Sequence, residues 1–296
     1  MLKDRLLYGP LLILALLGAL WLDEWLNTVD APAWFARLTG TVTFPPGTVM
    51  VLVATPIAVL AAIELAAMLS RVGLASSRKL SAIGAVVGIA VSCLIPSEVE
   101  AVRSVAIVGS AAIAMLLLSV VYFSRHQSVE GVVAATGGVL LAFVYLGLTF
   151  GFLLAIRREH SAWMILWILL TTKSYDIGAY FTGRAIGRHK LIVWLSPGKT
   201  WEGVGGGVVA SAVIGGLGAW ALGIWVDTRI GVWSGAAMGA VFGLVGQVGD
   251  LVASLVKRDA GAKDSSKTLP GFGGVIDVVD SPLLVAPVAY WMLTLL

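Results

Sequence analysis

Long apolar stretches separated by short polar ones organise this chain from end to end. A spanning helix needs roughly 20 mostly apolar residues. Nine stretches approach that length: Leu6–Leu22, Gly47–Leu69, Leu80–Ile95, Ser104–Phe123, Val132–Ile156, Trp163–Ala179, Val204–Val226, Val232–Val256 and Leu283–Leu296. The third and the last are short. The pattern predicts an all-α fold, a polytopic transmembrane helical bundle of about nine spans. The first stretch follows Lys3 and Arg5, as a signal peptide would, but Trp21, Leu22, Asp23 and Glu24 come next in place of small-residue cleavage positions. It is therefore expected to be a retained anchor.

Composition strengthens this picture. Of the 296 residues 58% are hydrophobic and 12% charged, with a mean hydropathy of +0.95. A soluble domain carries about 25% charge to keep its surface wet. The single cysteine, Cys93, lies in an apolar run, which excludes a disulfide framework and a cysteine metal site; it reads as a packing residue.

The net charge of +3 is unevenly spread. With nine spans, fourteen of the twenty Lys and Arg fall on the side of the N-terminus and five on the other, with Lys173 inside a span. The positive-inside rule then puts the N-terminus in the cytoplasm and the C-terminus outside. The Arg157-Arg158 pair falls on the wrong side and is the weakest point of this topology. Residues 1–160 form N-terminal transmembrane helices with short loops. Residues 161–296 carry the chemistry, mostly in two cytoplasmic loops, Thr182–Gly203 and Lys257–Ser281, which hold eight of the fourteen inside cations. The Gly205-Gly206-Gly207 run and Gly215-Gly216 read as close helix packing. A phosphate loop there would need a Gly-Lys-Ser/Thr ending and a preceding strand, and has neither.

Ionisable residues within spans are costly and point to function. Four occur: Glu64, Lys173, Asp176 and Asp250. Lys173 and Asp176 are three apart on one helix and can neutralise each other; Glu64 has no identifiable partner. Asp250, Ser254, Lys257 and Arg258 recur at i, i+4, i+7 and i+8, one polar stripe that begins at an acid inside the membrane and ends at two cations. Beyond it come Lys263-Asp264, then Asp277 and Asp280, with Gly271, Gly273 and Gly274 between. Carboxylates among cations and glycines suit a metal-bound phosphate, because oxygens hold Mg²⁺ and glycines let the backbone approach. The plainer reading is a juxtamembrane loop on anionic headgroups, against which stands the placement of Asp250 within an apolar run. In the other loop, Ser196, Lys199 and Thr200 are common phosphate contacts. Asp176, Tyr180 and Arg184 form a second stripe at i, i+4 and i+8, and Trp201 either stacks on a base or anchors the interface.

At these residues the chain resembles the phosphatidate cytidylyltransferase (CDP-diacylglycerol synthase) family. The signature takes the form Ser254, Lys257-Arg258, Lys263-Asp264, Pro270-Gly271-Phe272-Gly273-Gly274 and Asp277-Val278-Val279-Asp280. Gly246-Gln247-x-Gly249-Asp250, Asp176-x-Gly178-Ala179-Tyr180-Phe181-x-Gly183, Lys190-Leu191 and Ser196-Pro197-x-Lys199-Thr200-Trp201-Glu202-Gly203 are also similar to it. The match runs from about Asp176 to Ser281. Phe272 and Val278 depart from it, standing where the family usually has His and Arg, which marks a divergent member.

The resemblance implies an enzyme that joins CTP and phosphatidate into CDP-diacylglycerol and pyrophosphate, with Mg²⁺ as cofactor. A second cation such as K⁺, and a homodimeric assembly, stay open. It implies Asp250, Asp277, Lys257, Arg258, Lys263 and Asp264 as catalytic residues, and Ser196, Lys199, Thr200, Ser254 and Asp176 as substrate contacts. Asp250, Asp277 and Asp280 are the implied metal ligands. The expected location is the bacterial inner membrane, with the active site on the cytoplasmic face and no nucleic-acid partner. A CTP-dependent lipid-alcohol kinase would need a similar set of residues and release CDP instead of pyrophosphate. A transporter would place its charges at midplane in two related halves, and no internal repeat is visible.

Overall fold

The apolar runs fold as helices in this computed structural model, which describes residues 2–94, 101–125, 129–226, 228 and 230–295. Ile95, Arg229 and Leu296, which figure in the sequence reading, lie outside the described residues. The helices are α1 (Leu2–Leu26), α2 (Ala33–Thr39), α3 (Thr48–Arg71), α4 (Arg78–Leu94), α5 (Ala101–Ser124), α6 (Val132–Leu141), α7 (Thr149–Glu159), α8 (Ala162–Ile186), α9 (Trp201–Trp225), α10 (Val232–Asp259) and α11 (Val275–Thr294). A π-helical segment, Ala142–Leu148, joins α6 to α7. Strands β1 (Lys190–Ile192) and β2 (Ser196–Thr200) form an antiparallel hairpin between α8 and α9. Helices dominate because a backbone in lipid must satisfy its own hydrogen bonds.

Among the described residues seven helices, not nine, are long and apolar enough to cross a bilayer: α1, α3, α5, the continuous rod Val132–Glu159, α9, α10 and α11. The other two expected spans fall short on different counts. The described part of α4, which borders residues outside the described set, has 17 residues, about 26 Å at 1.5 Å per residue. Helix α8 has 25 residues, but Lys173, Asp176 and their hydroxyl neighbours lower its apolarity.

The two expected loops are also partly helical. Thr182–Gly203 contains the end of α8, the hairpin and the start of α9, while Lys257–Ser281 begins in the last turns of α10 and ends within α11. Asp277 and Asp280 therefore sit on a helix and not in a loop.

The chain forms two compact units. One comprises Met1–Leu11, Met50–Ala155 and Val256–Val278. Leu80, Met115, Phe123, Ala135, Val139 and Phe143 are buried together in it. The π segment packs on α4 through glycines: a Cβ on Gly147 would lie 2.7 Å from the Ala85 carbonyl oxygen and 2.8 Å from Gly88 Cα. Only residues without side chains allow that approach in lipid.

The other unit comprises Leu12–Val49, Ile156–Leu255 and Val279–Leu296. Here α8, α9 and α10 pack backbone to backbone, as the glycine runs predict. A Cβ on Gly206 would lie 2.0 Å from Thr182 Oγ1, and one on Gly215 would lie 2.4 Å from the Gly235 carbonyl oxygen. Trp167 Nε1 donates to the Gly215 carbonyl at 3.0 Å. Arg157 is 3% exposed. Its Nε donates to Asp23 Oδ2 at 2.5 Å, and its Nη2 lies 3.1 Å from Glu24 Oε2. The Asp23 carboxylate also accepts from the backbone N–H groups of Gly47 and Val49 at the start of α3. Arg157 is thus a buried ion-pair partner and does not count as a loop cation, which removes half of the misplaced pair from the topology argument.

Candidate functional site

In the second of these units, the motif residues of α8, the hairpin and α10 come together. Helix α8 ends at Gly187, whose N–H reaches back to the Gly183 carbonyl. Glu202 holds the turn that follows: its carboxylate accepts from the N–H groups of Arg188 and His189 and lies 2.6 Å from His189 Nδ1. Strand β2 leads into α9, capped by Thr200, whose hydroxyl accepts from Gly203 N–H at 3.1 Å. Thr200 is 6% exposed, so capping explains its hydroxyl.

This hairpin sets Lys199 against Asp250 of α10, with the ammonium on Oδ2. Asp250 Oδ1 has no protein partner among the described residues. Beside the pair is a pocket of about 380 Å³ lined by Tyr175, Asp176, Tyr180, Arg184, Lys199 and Gln247, among others. That volume is within the roughly 300–1,000 Å³ of small-molecule sites. The predicted Asp176, Tyr180 and Arg184 stripe is one wall of it, and Arg184 Nη1 donates to Tyr180 Oη at 3.0 Å. Lys173 Nζ lies 3.7 Å from Asp176 Oδ2 and 3.9 Å from Asp280 Oδ1. Asp280 is 3% exposed and accepts from Ser281 N–H and Oγ. Ser196 is half-buried at its place in β2, opposite Ile192.

In the first unit, the connection from α10 to α11 builds a second centre. Lys257 Nζ donates to Asp277 Oδ1 at 2.7 Å. Asp277 Oδ2 accepts from Gly274 N–H and Ser265 N–H, each at 2.9 Å, and lies 3.0 Å from Ser265 Oγ, whose one proton it shares with Glu64 Oε2. The bond to Gly274 spans three residues, the reach-back by which an acid in the first helical turn ties down the start of its helix. Two glycines make the turn possible. Gly273 has φ +95°, and a Cβ on Gly274 would lie 1.9 Å from Ser265 Oγ. Arg258 is exposed and caps the end of α10 by donating to the Ala262 carbonyl. Lys263 and Asp264 are exposed in the connection, and Ser254 is half-buried on α10.

Glu64, without a partner in the sequence reading, belongs to this second centre, and Ser265 and Ser266 were not singled out at all. Glu64 accepts from both serines and from two backbone N–H groups. The backbone amides leave no signature in sequence, and the two serines lie 201 and 202 residues from Glu64, beyond the reach of any local periodicity.

Among the described residues no group of three or more His, Cys, Asp or Glu side chains converges as a ready metal cage. Mg²⁺ seldom uses one; it keeps waters and takes one or two carboxylates plus substrate phosphates. Hard oxygen donors with an open position, such as Asp250 Oδ1, fit that habit.

Apolar helices of spanning length define an integral membrane protein, and its motif residues build a pocket beside one Lys–carboxylate pair and a second such pair. The family model described as "Cytidylyltransferase family" matches residues 31–296, and the chain belongs to that family. The chain is similar to a phosphatidate cytidylyltransferase of Staphylococcus saprophyticus, 38% identical over 148 residues, which cover 50% of this chain and 55% of the relative. One from Synechocystis is 46% identical over 121 residues, 41% of this chain and 40% of the relative. An uncharacterized protein of Escherichia coli, YnbB, is 39% identical over 139 residues, 46% of this chain and 44% of the relative. The chain spans about half the length of the curated relatives it matches.

Proposed function

We propose that the protein is a phosphatidate cytidylyltransferase that makes CDP-diacylglycerol and pyrophosphate at the cytoplasmic face of the bacterial inner membrane. The observation that carries this reading is the Lys199–Asp250 pair beside the 380 Å³ pocket, on residues that match the family motif. A nucleotide triphosphate needs cations for its phosphates and room for its base and sugar, and the pocket offers Lys199, Arg184 and the rings of Tyr175 and Tyr180.

In the proposed reaction a phosphate oxygen of phosphatidate attacks the α-phosphorus of CTP. The new P–O bond forms as the bond to the bridging oxygen of the β-phosphate breaks, and pyrophosphate leaves with that electron pair. The nucleophile is already an anion near neutral pH, the second pKa of a phosphate monoester being about 6, so no protein base is required. Lys199 and Arg184 are proposed to orient CTP, with Ser196, Thr200, Ser254 and Asp176 at its edges. Lys257, Arg258 and Lys263 are proposed to neutralise charge that builds on the departing pyrophosphate, where fixed cations act most strongly. Asp264 is proposed to hold this cationic segment in place. Asp250 and Asp277 are each proposed to ligate Mg²⁺, with Asp280 as a further candidate. A bound divalent cation would supply additional neutralisation of phosphate charge.

The test is an assay of the full chain in detergent with CTP, phosphatidate and Mg²⁺, following pyrophosphate and lipid product. Asp250→Asn and Asp277→Asn should each lower turnover by about a hundredfold or more, the usual scale for removing a group that stabilises developing charge. Wild-type rates in both would sink the assignment. Release of CDP in place of pyrophosphate would make the protein a lipid-alcohol kinase.

A further inference from the structure

Glu64 lies in the second half of α3 and is 6% exposed. An acid at that depth in an apolar helix costs a few kcal/mol unless its oxygens are satisfied. Both are. Oε1 accepts from Ser266 Oγ at 2.6 Å and from Val275 N–H at 3.0 Å; Oε2 accepts from Ile276 N–H at 3.1 Å and shares the single Ser265 Oγ proton with Asp277 Oδ2, each oxygen 3.0 Å from Oγ. All four donors are neutral, so the carboxylate is not there to balance a cation. Its negative charge instead faces the first two N–H groups of α11, where the helix dipole favours an anion.

The position of the donors matters more than their number. Two stand at the start of the Ser265–Val275 connection and two at its end. One carboxylate therefore ties both ends of that loop to α3. Ser265 then passes the restraint on, because its N–H and Oγ also meet Asp277 Oδ2, while Asp277 Oδ1 holds Lys257. The space is matched to this one acid, since a Cβ on Gly274 would lie 2.5 Å from Glu64 Oε2. An apolar residue would fill the volume but could accept none of these bonds.

We infer that Glu64 is a positioning residue for the reaction, acting through Ser265 on Asp277 and Lys257. This rests on the reading of Lys257 and Asp277 as reaction groups. It gives the N-terminal helices a role in the chemistry, although the family motifs begin more than a hundred residues after Glu64.

The experiment is Glu64→Gln in the full chain, assayed with CTP, phosphatidate and Mg²⁺ beside wild type, with kcat counted per molecule that binds CTP. Glutamine keeps the volume but turns an NH₂ group toward two donors. The expected result is a fall in kcat of about 10- to 100-fold, the usual cost of losing a group that orients a reaction residue, with an unchanged KM for CTP. Amide exchange at Val275 and Ile276 should rise at the same time. Wild-type kcat would overturn the inference, as would a loss explained wholly by fewer CTP-binding molecules. If Glu64→Gln does not fold, Glu64→Asp is measured in its place, because it keeps the charge but shortens the reach, and wild-type kcat in it overturns the inference. If wild type itself releases no pyrophosphate, the proposed function fails. Exchange at Val275 and Ile276 then decides alone, and no change in the variant overturns the positioning role.

Discussion

Lys257 Nζ and Asp277 Oδ1 lie 2.7 Å apart, and both side chains are only 10% exposed. The pair joins the last turns of α10 to the first turn of α11 across a connection of mixed exposure. An ion pair so placed is worth little against a well-packed apolar substitute, but breaking it from one side strands a buried charge. Lys257→Met leaves Asp277 with neutral donors only, and Asp277→Asn leaves a buried ammonium. Each should cost about 3 kcal/mol in thermal or chemical unfolding in detergent. The double variant Lys257→Met/Asp277→Asn should recover a large part of that loss. Additive losses would show that the two side chains do not act as a pair.

Arg157 carries a prediction about topology as well as stability. As a loop cation it would argue against an inside N-terminus; as a partner of Asp23 and Glu24 it is silent on orientation. Arg157→Met should therefore leave the sidedness of the chain unchanged, read by labelling single cysteines placed near residues 76 and 160 in sealed vesicles. It should still lower stability by about 3 kcal/mol, because Asp23 is left buried with two backbone donors at the head of α3. Inversion of the labelling pattern would mean that Arg157 acts in orientation after all.

The glycines separate into those that are needed and those that are not. Gly274→Ala forces a methyl to within 1.9 Å of Ser265 Oγ and 2.5 Å of Glu64 Oε2, two groups that their own hydrogen bonds hold in place. Overpacking of that kind costs about 2 kcal/mol or more, and turnover should fall with it. Gly205→Ala meets nothing within 4 Å and removes a poor helix former from α9, so it should be neutral or stabilising by up to about 1 kcal/mol. Equal effects of the two substitutions on melting temperature would refute the packing argument.

How much of this was legible in the sequence depends on how far apart the partners lie. The stripe Asp250, Ser254, Lys257 and Arg258 is readable because helical periodicity is local, and α10 carries all four. Its acid and its lysine nonetheless find different partners, Lys199 and Asp277, which periodicity cannot assign. The same holds for Asp23 and Arg157, which are 134 residues apart, and for Glu64, whose donors lie 201 to 212 residues away. Among the described residues seven of the nine expected spans qualify, because hydropathy registers an apolar run before it registers whether the run is apolar enough throughout, as in α8. The helical setting of Asp277 is not legible because the glycines before it read as part of a loop, although they end where α11 begins.

Phe272 bears on the acid–base chemistry. It stands where the family usually has His, and its ring packs toward α1, with Cζ 3.5 Å from where a Cβ on Gly9 would sit. If phosphatidate enters as its dianion, the rate is set by the substrate's ionisation and not by a protein base. Below a pH of about 6 the monoanion dominates and attacks poorly. So kcat/KM should climb as pH rises through that value and level off above it. Phe272→His should then lose about 1 kcal/mol of packing and leave the inflexion where it was, because a new imidazole would have no proton to remove from the dianion. Purified wild type and variant, each followed by pyrophosphate release between about pH 5 and 8, give the comparison. A flat wild-type profile, or an inflexion that moves when His is introduced, would mean that a protein group takes part in the proton chemistry.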